Sequence, residues 1–274
     1  MTTEEEVARH YTHGTLERTI LEALTASGKD IDTLVASDIS ALDELHLGWR
    51  TATVELGKDI GLEPHMHLLD VGSGIGGPAR YFAETYECRV TGVDLTDEFV
   101  EVAEALTSRC GLDDRAEFHQ ASALALPFED RSFDAASMIH VGMNIEDKKT
   151  LFAEVHRVLK PGARFGVYDV MRMQDAALGY PMPWADTIAT SFVEPPENYR
   201  RLLVAGGFEI EHECSRRELV RTLVREMREK AETSGPSPLG PHVVMGPSAK
   251  TRLGNVFDAL ENGVIAPIEI IARA

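Results

Sequence analysis

The chemistry in this sequence concentrates at Leu68-Leu69-Asp70-Val71-Gly72-Ser73-Gly74-Ile75-Gly76-Gly77-Pro78-Ala79-Arg80, where an apolar run ends in an acid and passes into glycines at alternate positions. The pattern predicts a short buried strand, a tight turn and a helix. Such a turn lets a ligand touch backbone that a side chain would block, which suits a nucleotide-like cofactor. Two acids narrow the choice. Asp70 stands two residues before the first turn glycine, where a carboxylate would repel the pyrophosphate that a dinucleotide places at a helix N-terminus. It suits instead a ligand bearing an ammonium and a sulfonium. Asp94 closes the next apolar segment, at the offset of a ribose-binding acid, and has two oxygens for two ribose hydroxyls. The pair fits S-adenosylmethionine better than NAD, so an NAD-dependent oxidoreductase is the disfavoured alternative.

A second group of candidates lies in Ser137-Met138-Ile139-His140-Val141-Gly142-Met143-Asn144, just beyond another apolar segment. His140 can serve as a base if the methyl acceptor is a hydroxyl or an acidic carbon; an amine acceptor would need only to be neutral. Its bland alternative is a hydrogen-bonded loop histidine. Met143 and Asn144 are candidate acceptor contacts. Tyr11 and His13 either fold over the cofactor or lie on a helix surface. Trp49 and Arg50 either approach a ligand carboxylate, for which arginine is well suited, or pack within a helix. Tyr180, Met182 and Trp184 either line an apolar acceptor pocket or form the core of an insertion.

These residues need elements to position them. Apolar periodicity predicts helices over residues 4–24 and 43–56, an N-terminal helical cap of residues 1–60. Residues 61–274 then alternate. Strands are expected at 67–71, 89–94, 116–119, 133–139 and 164–170, separated by helices at 78–86, 96–109 and 151–159. The alternation implies an α/β fold with a Rossmann-like, doubly wound, mostly parallel seven-stranded sheet. It breaks at 171–200, a stretch rich in Met, Pro and aromatics that is a candidate lid after the fifth strand. Helices at 198–205, 217–233 and 249–261, strands at 208–214 and 264–272, and a Pro/Gly-rich loop at 234–247 complete the chain.

The chain resembles the class I S-adenosylmethionine-dependent methyltransferases, and among them the small-molecule branch of ubiquinone/menaquinone-type and sarcosine/dimethylglycine-type enzymes. The resemblance covers over a third of the sequence. It rests on Leu69-Asp70-Val71-Gly72-Ser73-Gly74-Ile75-Gly76-Gly77, Gly92-Val93-Asp94-Leu95-Thr96, Ala123-Leu124-Ala125-Leu126-Pro127-Phe128, Phe133-Asp134 and Val158-Leu159-Lys160-Pro161-Gly162. It implies that Asp70 and the glycine turn, including Gly72, Ser73, Gly74, Gly76 and Gly77, face the cofactor. It also implies that Asp94 holds the ribose, Leu95 packs on the adenine, and Ala123 and Leu124 read the adenine edge. Ser122 departs from the family pattern, which places an acid there. His140 would also touch the cofactor.

Bulk composition bounds the remaining classes. A formal net charge of -18 argues against nucleic-acid and anionic-membrane surfaces, and no Asn/Asp-Pro-Pro-aromatic element follows the fourth strand. Cys88, Cys110 and Cys214 are too few and too scattered for a disulfide framework or a zinc site. No apolar run approaches a membrane span, and residues 1–9 lack a signal-peptide core. A cytoplasmic enzyme acting on a small-molecule acceptor is expected. Methylation at O, N or C, a homodimer, and a non-catalytic cofactor-binding role stay open.

Overall fold

The structure, a computed structural model, describes residues 2–235 and 237–274. Met1, within the expected cap, and Pro236, within the expected late loop, lie outside the described residues. The strands are β1 (His67–Val71), β2 (Arg89–Asp94), β3 (Ala116–Gln120), β4 (Phe133–Ile139), β5 (Leu159–Arg172), β6 (Glu209–Ser215) and β7 (Ile265–Arg273). They form one sheet in the order β3-β2-β1-β4-β5-β7-β6. The first five pair in parallel, while β7 runs antiparallel to both β5 and β6. The mostly parallel, seven-stranded sheet expected from the alternation is therefore present, with a single reversed strand.

The helices are α1 (Thr3–Tyr11), α2 (Leu16–Ala26), α3 (Ala36–Asp43), α4 (Trp49–Ile60), α5 (Gly77–Tyr86), α6 (Asp97–Arg109), α7 (Lys148–Val158), α8 (Pro196–Ala205), α9 (Arg217–Ser234), α10 (Pro241–Met245) and α11 (Ala249–Glu261). Successive strand residues point to opposite faces, so Leu69 packs with Phe152, Val155 and Tyr199 of α7 and α8, whereas Leu68 packs with Leu56, Ile60 and Phe82 of α4 and α5. Helix α4 thus covers the sheet directly, although its residues fall in the expected cap. Strand order reverses between β1 and β4, and the crevice at their carboxyl ends is the place where such sheets bind ligands.

Sequence periodicity overran two breaks. The helix expected at 4–24 is split into α1 and α2 around Gly14, which has φ +74°. The carboxylate of Glu98 accepts from the backbone N–H groups of His13, Gly14 (2.8 Å) and Leu16 (2.9 Å), satisfying donors that open α2. The helix expected at 43–56 is likewise divided. Helix α3 ends at Asp43, residues 44–48 form a turn closed by Gly48 at φ +92°, and α4 begins at Trp49. Two further differences are smaller. Strand β5 starts earlier than expected, and its bend at Gly162 is held by an N–H donated to the Ala274 carbonyl at 2.7 Å. The expected late loop contains α10, which packs Val244 against the cap.

The cap is locked to the sheet domain by an ion pair with no water contact. Arg80 Nη2 donates to Asp43 Oδ2 at 2.9 Å, and the same guanidinium donates to the Ile75 carbonyl (2.6 Å) and to Thr107 (3.0 Å). Removing one member of a buried pair leaves the other charge uncompensated. We expect Arg80→Met to lower unfolding free energy by about 3–5 kcal/mol, measured by urea denaturation.

Candidate active site

A cavity of ≈ 390 Å³ opens at the carboxyl ends of β1, β2 and β4. Its floor is the glycine turn. Gly72 has φ +71°, and a Cβ there would meet Val141 Cγ2 at 2.3 Å, so the turn packs only with glycine. Gly74 has φ +54° and nothing within 4 Å of where its Cβ would be, which leaves backbone open to an occupant. At one side Asp94 is fixed by two backbone donors, Gly74 N–H to Oδ2 and Thr96 N–H to Oδ1, each at 2.9 Å.

Asp70 stands at the centre. It is buried, and its Oδ1 accepts from Ser137 Oγ at 2.7 Å, a contact dictated by the β1–β4 register that pairs Asp70 with Ser137. Its Oδ2 has no partner among the described residues, and neither has the buried hydroxyl of Ser73. Burial pushes the Asp70 carboxyl up to about 7, against the Ser137 hydrogen bond; Glu44 and Asp94 add repulsion. A buried carboxylate with a free oxygen and no counter-cation is matched by a ligand that brings a positive charge.

A smaller chamber of ≈ 140 Å³ adjoins this cavity. Tyr11, Leu45, His46, Phe99 and His140 line both spaces and so form the wall between them. His140 has φ +54°, and its N–H donates to the Tyr168 carbonyl at 2.8 Å. Its ring stacks on Tyr168 with centroids 5.4 Å apart, and its buried Nε2 has no partner among the described residues. Burial, with His46 adding to it, holds the His140 imidazole well below its ordinary range, and burial lowers His46 to about 4. Both rings are therefore neutral near pH 7.

Helix α1 closes the cavity from above. Tyr11 Oη donates to Asn144 Oδ1 at 3.0 Å, while Asn144 Nδ2 donates to the Trp184 carbonyl at 2.7 Å. The wall, the lid segment and the N-terminal helix thus share one polar chain.

The sequence-derived candidates divide clearly. Asp70, Gly72, Ser73, Gly74, Asp94 and Leu95 line the larger cavity, as do Ala123, Leu124 and Asn144. Trp49, Met143 and Trp184 line the smaller one, together with His13. Gly76, Gly77, Ser122 and Tyr180 line neither. Gly77 is a packing glycine, since a Cβ would lie 2.3 Å from the Asp43 carbonyl oxygen. Ser122 Oγ is a donor to Glu4 of α1, and its acceptor role goes to the Leu124 N–H at 3.0 Å. Tyr180 packs against the cluster that holds Met182 and Trp184. Arg50 is engaged by Glu44 and lies 4.6 Å over the Tyr81 ring, away from both cavities.

Two groups went unread in the sequence. Glu4 and Val7 bring α1 to the cavity, and Glu44-Leu45-His46 bring the cap turn. The signal for the turn was Gly48 inside a helical pattern.

Comparison with known proteins accords with this geometry. A family model described as a methyltransferase domain matches residues 69–167. Residues 69–167 therefore form a methyltransferase domain. Sterol 24-C-methyltransferase ERG6B of Gibberella zeae is 39% identical over 114 residues, covering 42% of this chain and 30% of that protein. The match therefore spans under a third of that sterol enzyme's length. The O-methyltransferase resE of Aspergillus sclerotiorum is 29% identical over 198 residues, 71% of this chain and 74% of that protein. A solved structure of the cyclase SpnF superposes with TM-score 0.68 at 23% identity, over 100% of this chain and 97% of that one. At that identity the likeness is one of fold. No helix among the described residues is long and apolar enough to cross a membrane.

The methyltransferase domain's buried groups set its pH response. Asp70 and Glu269, both held up to about 7 mainly by burial, bind protons more tightly folded than unfolded, so each loses stability as pH rises towards 7. His46, lowered to about 4 from 6.5, acts oppositely, adding stability as pH rises across that interval. Above pH 6.5 the acids titrate over most of the interval to pH 8, opposed towards its upper end by Lys148, whose ammonium burial lowers to about 8 and which adds stability as pH rises. We expect the ligand-free melting temperature to fall between pH 6.5 and 8 in scanning calorimetry, and Asp70→Asn to flatten the fall.

Proposed function

We propose that this protein transfers a methyl group from S-adenosylmethionine to a small-molecule acceptor. The observation that carries the reading is the unpartnered Oδ2 of Asp70, buried beside an open glycine turn and a ribose-suited acid. Asp70 would hold the ammonium of the cofactor, the backbone at Gly72 and Gly74 its methionine part, and Asp94 the ribose hydroxyls. Leu95, Ala123 and Leu124 would enclose the adenine. The cofactor supplies an electrophilic methyl on a good leaving group.

The chain's own contribution is then positioning and exclusion of water. Helix α1 covers the cavity, Asn144 ties it to the lid, and the histidine wall separates cofactor from acceptor. An acceptor in the smaller chamber would meet Trp49, Met143 and Trp184, with a neutral imidazole at the wall to take any proton released; the sequence reading gave that role to His140. Residues 2–43, from the expected cap of 1–60, with 171–200 would act as the closing parts over the sheet domain. Sterol and O-methyl transfer by the relatives support a small acceptor. The cyclase with this fold shows why turnover must be measured separately from binding.

The test is calorimetry with S-adenosylhomocysteine, followed by its release from S-adenosylmethionine in the presence of candidate acceptors. Absence of binding would sink the reading; binding without turnover would leave a cofactor-binding protein. Asp94→Ala should weaken binding by about 100-fold or more, since hydrogen bonds to a charged group contribute about 1.5–3 kcal/mol each. Wild-type affinity should fall as pH drops below about 7, where the Asp70 carboxyl takes up a proton in the free protein.

A further inference from the structure

The turn that interrupts the cap helices carries His46 to the wall between the two chambers, and its hydrogen bonds fix the state of its ring. His46 Nε2 lies 3.0 Å from the Trp49 carbonyl oxygen, 3.2 Å from Thr53 Oγ1 and 3.5 Å from Glu44 Oε2. The Thr53 hydroxyl hydrogen is already given to Glu44 at 2.6 Å, so towards His46 that oxygen accepts. All three neighbours are acceptors, which places the ring hydrogen on Nε2 and leaves Nδ1 with a free lone pair. Nδ1 makes no hydrogen bond with a described residue, and the ring lines both chambers. Glu44 is buried and held by Arg50 and Thr53. The arrangement is a base whose far nitrogen donates to the Trp49 carbonyl, with Glu44 fixing it through the Thr53 hydroxyl.

His140 lacks these supports. Neither of its ring nitrogens hydrogen-bonds a described residue, and its aromatic neighbours are Tyr168 and His46. A proton placed there would leave a buried cation with no carboxylate against it.

The chamber itself defines the acceptor. Arg252 is the one Arg or Lys lining it. Its Nε donates to Ser248 (2.8 Å), its Nη1 to the Met182 carbonyl (2.6 Å) and its Nη2 to Asp186. Among the described residues no free Arg or Lys remains there for a phosphate or carboxylate, and Glu44 is already paired with Arg50. The rest of the wall is largely apolar, including Trp49, Met143, Trp184 and Phe257. A volume of ≈ 140 Å³ is close to that of an apolar cavity, about 150 Å³, that admits benzene.

We propose that the smaller chamber takes an uncharged, hydroxyl-bearing aromatic or similarly apolar acceptor, and that the catalytic base is His46, positioned by Glu44. This deepens, and rests on, the methyl-transfer reading above. The acceptor oxygen forms its bond to the methyl carbon as the carbon–sulfur bond breaks with its electron pair left on sulfur. The O–H proton passes to His46 Nδ1, and the resulting imidazolium faces Glu44, Thr53 and the Trp49 carbonyl through Nε2 before releasing a proton to solvent.

The first test needs no turnover. Nitrogen-15 histidine NMR of the wild-type protein should show His46 as the Nε2–H tautomer; the Nδ1–H form would overturn the proposal. The second uses phenol, with aniline as control, on protein whose binding of S-adenosylhomocysteine has been verified by calorimetry. Phenol should be methylated and aniline not. With S-adenosylmethionine saturating at every pH, the wild-type rate should be nearly flat from pH 6.5 to 8.5. His46→Gln should lower it at pH 7 by about 100-fold or more, with about a tenfold recovery per pH unit as phenol ionises. Glu44→Gln should fall between the two. His140→Ala should lower the rate without acquiring that slope. Equal loss at every pH in His46→Gln, the slope appearing in His140→Ala instead, methylation of aniline alone, or no methylation of phenol by cofactor-binding protein would each overturn it. Loss of homocysteine-product binding in the wild type would instead sink the methyl-transfer reading, and this proposal with it.

Discussion

A carboxylate buried without a counter-cation organises the site. Asp70 lies one residue before the end of β1, between two parallel neighbours, and one of its oxygens is held by Ser137 of β4 through strand register alone. The other oxygen is left for something not made of this chain. Such a group is costly in the folded protein, and it persists because the sheet forces it. Residue Gly92, opposite on β2, leaves the room in which Ser73 folds back: a Cβ there would lie 2.7 Å from Ser73 Oγ. The glycine turn, the ribose-suited acid of β2 and the histidine that follows β4 all come from placing three strand ends around that carboxylate.

Closure raises the stakes of the same interaction. Helix α1 is held by contacts that start in the sheet domain: Glu98 to the linker backbone, Asn144 to Tyr11 and Ser122 to Glu4. With the cavity covered, burial pushes Asp70 towards neutrality and keeps the imidazoles uncharged. An uncharged imidazole is a base in its ready form, whereas a neutralised carboxyl binds no cation well. A cationic ligand reverses the second effect without disturbing the first.

The sheet and its cofactor end were legible because they obey local rules. Residues 67–71 and 133–139 are apolar runs bounded by turn residues, and both strands have the limits read from the sequence. Asp70 and Asp94 were legible because charge and offset alone separate an ammonium-and-ribose site from a pyrophosphate site. What failed was continuity of helical pattern. Residues 4–24 and 43–56 have apolar residues at helical spacing, yet tertiary partners break both. Glu98, more than eighty positions away, supplies the acceptor that ends the first. Gly48 sits against Tyr168 Oη and Ala52, and no periodicity encodes that close approach. Ser122 shows the same limit: the position departs from the family's acid, and its hydroxyl is taken by Glu4, from the far end of the sequence.

The distribution of the smaller chamber's walls explains why family likeness names the donor and leaves the acceptor open. Of its lining residues, only Phe99, His140 and Met143 fall within the matched span of residues 69–167. The others come from the first cap helix and the following linker, the turn before α4, the lid and the segment running from α10 into α11. Those parts meet only through tertiary contacts such as His10 to the Pro183 carbonyl and Arg252 to the Met182 carbonyl. Each can change without disturbing the β1–β4 crevice, because none of them carries Asp70, Asp94 or the glycine turn. The residues that would touch an acceptor therefore come mostly from outside the matched span, and His46, whose ring lines both chambers, is one of them.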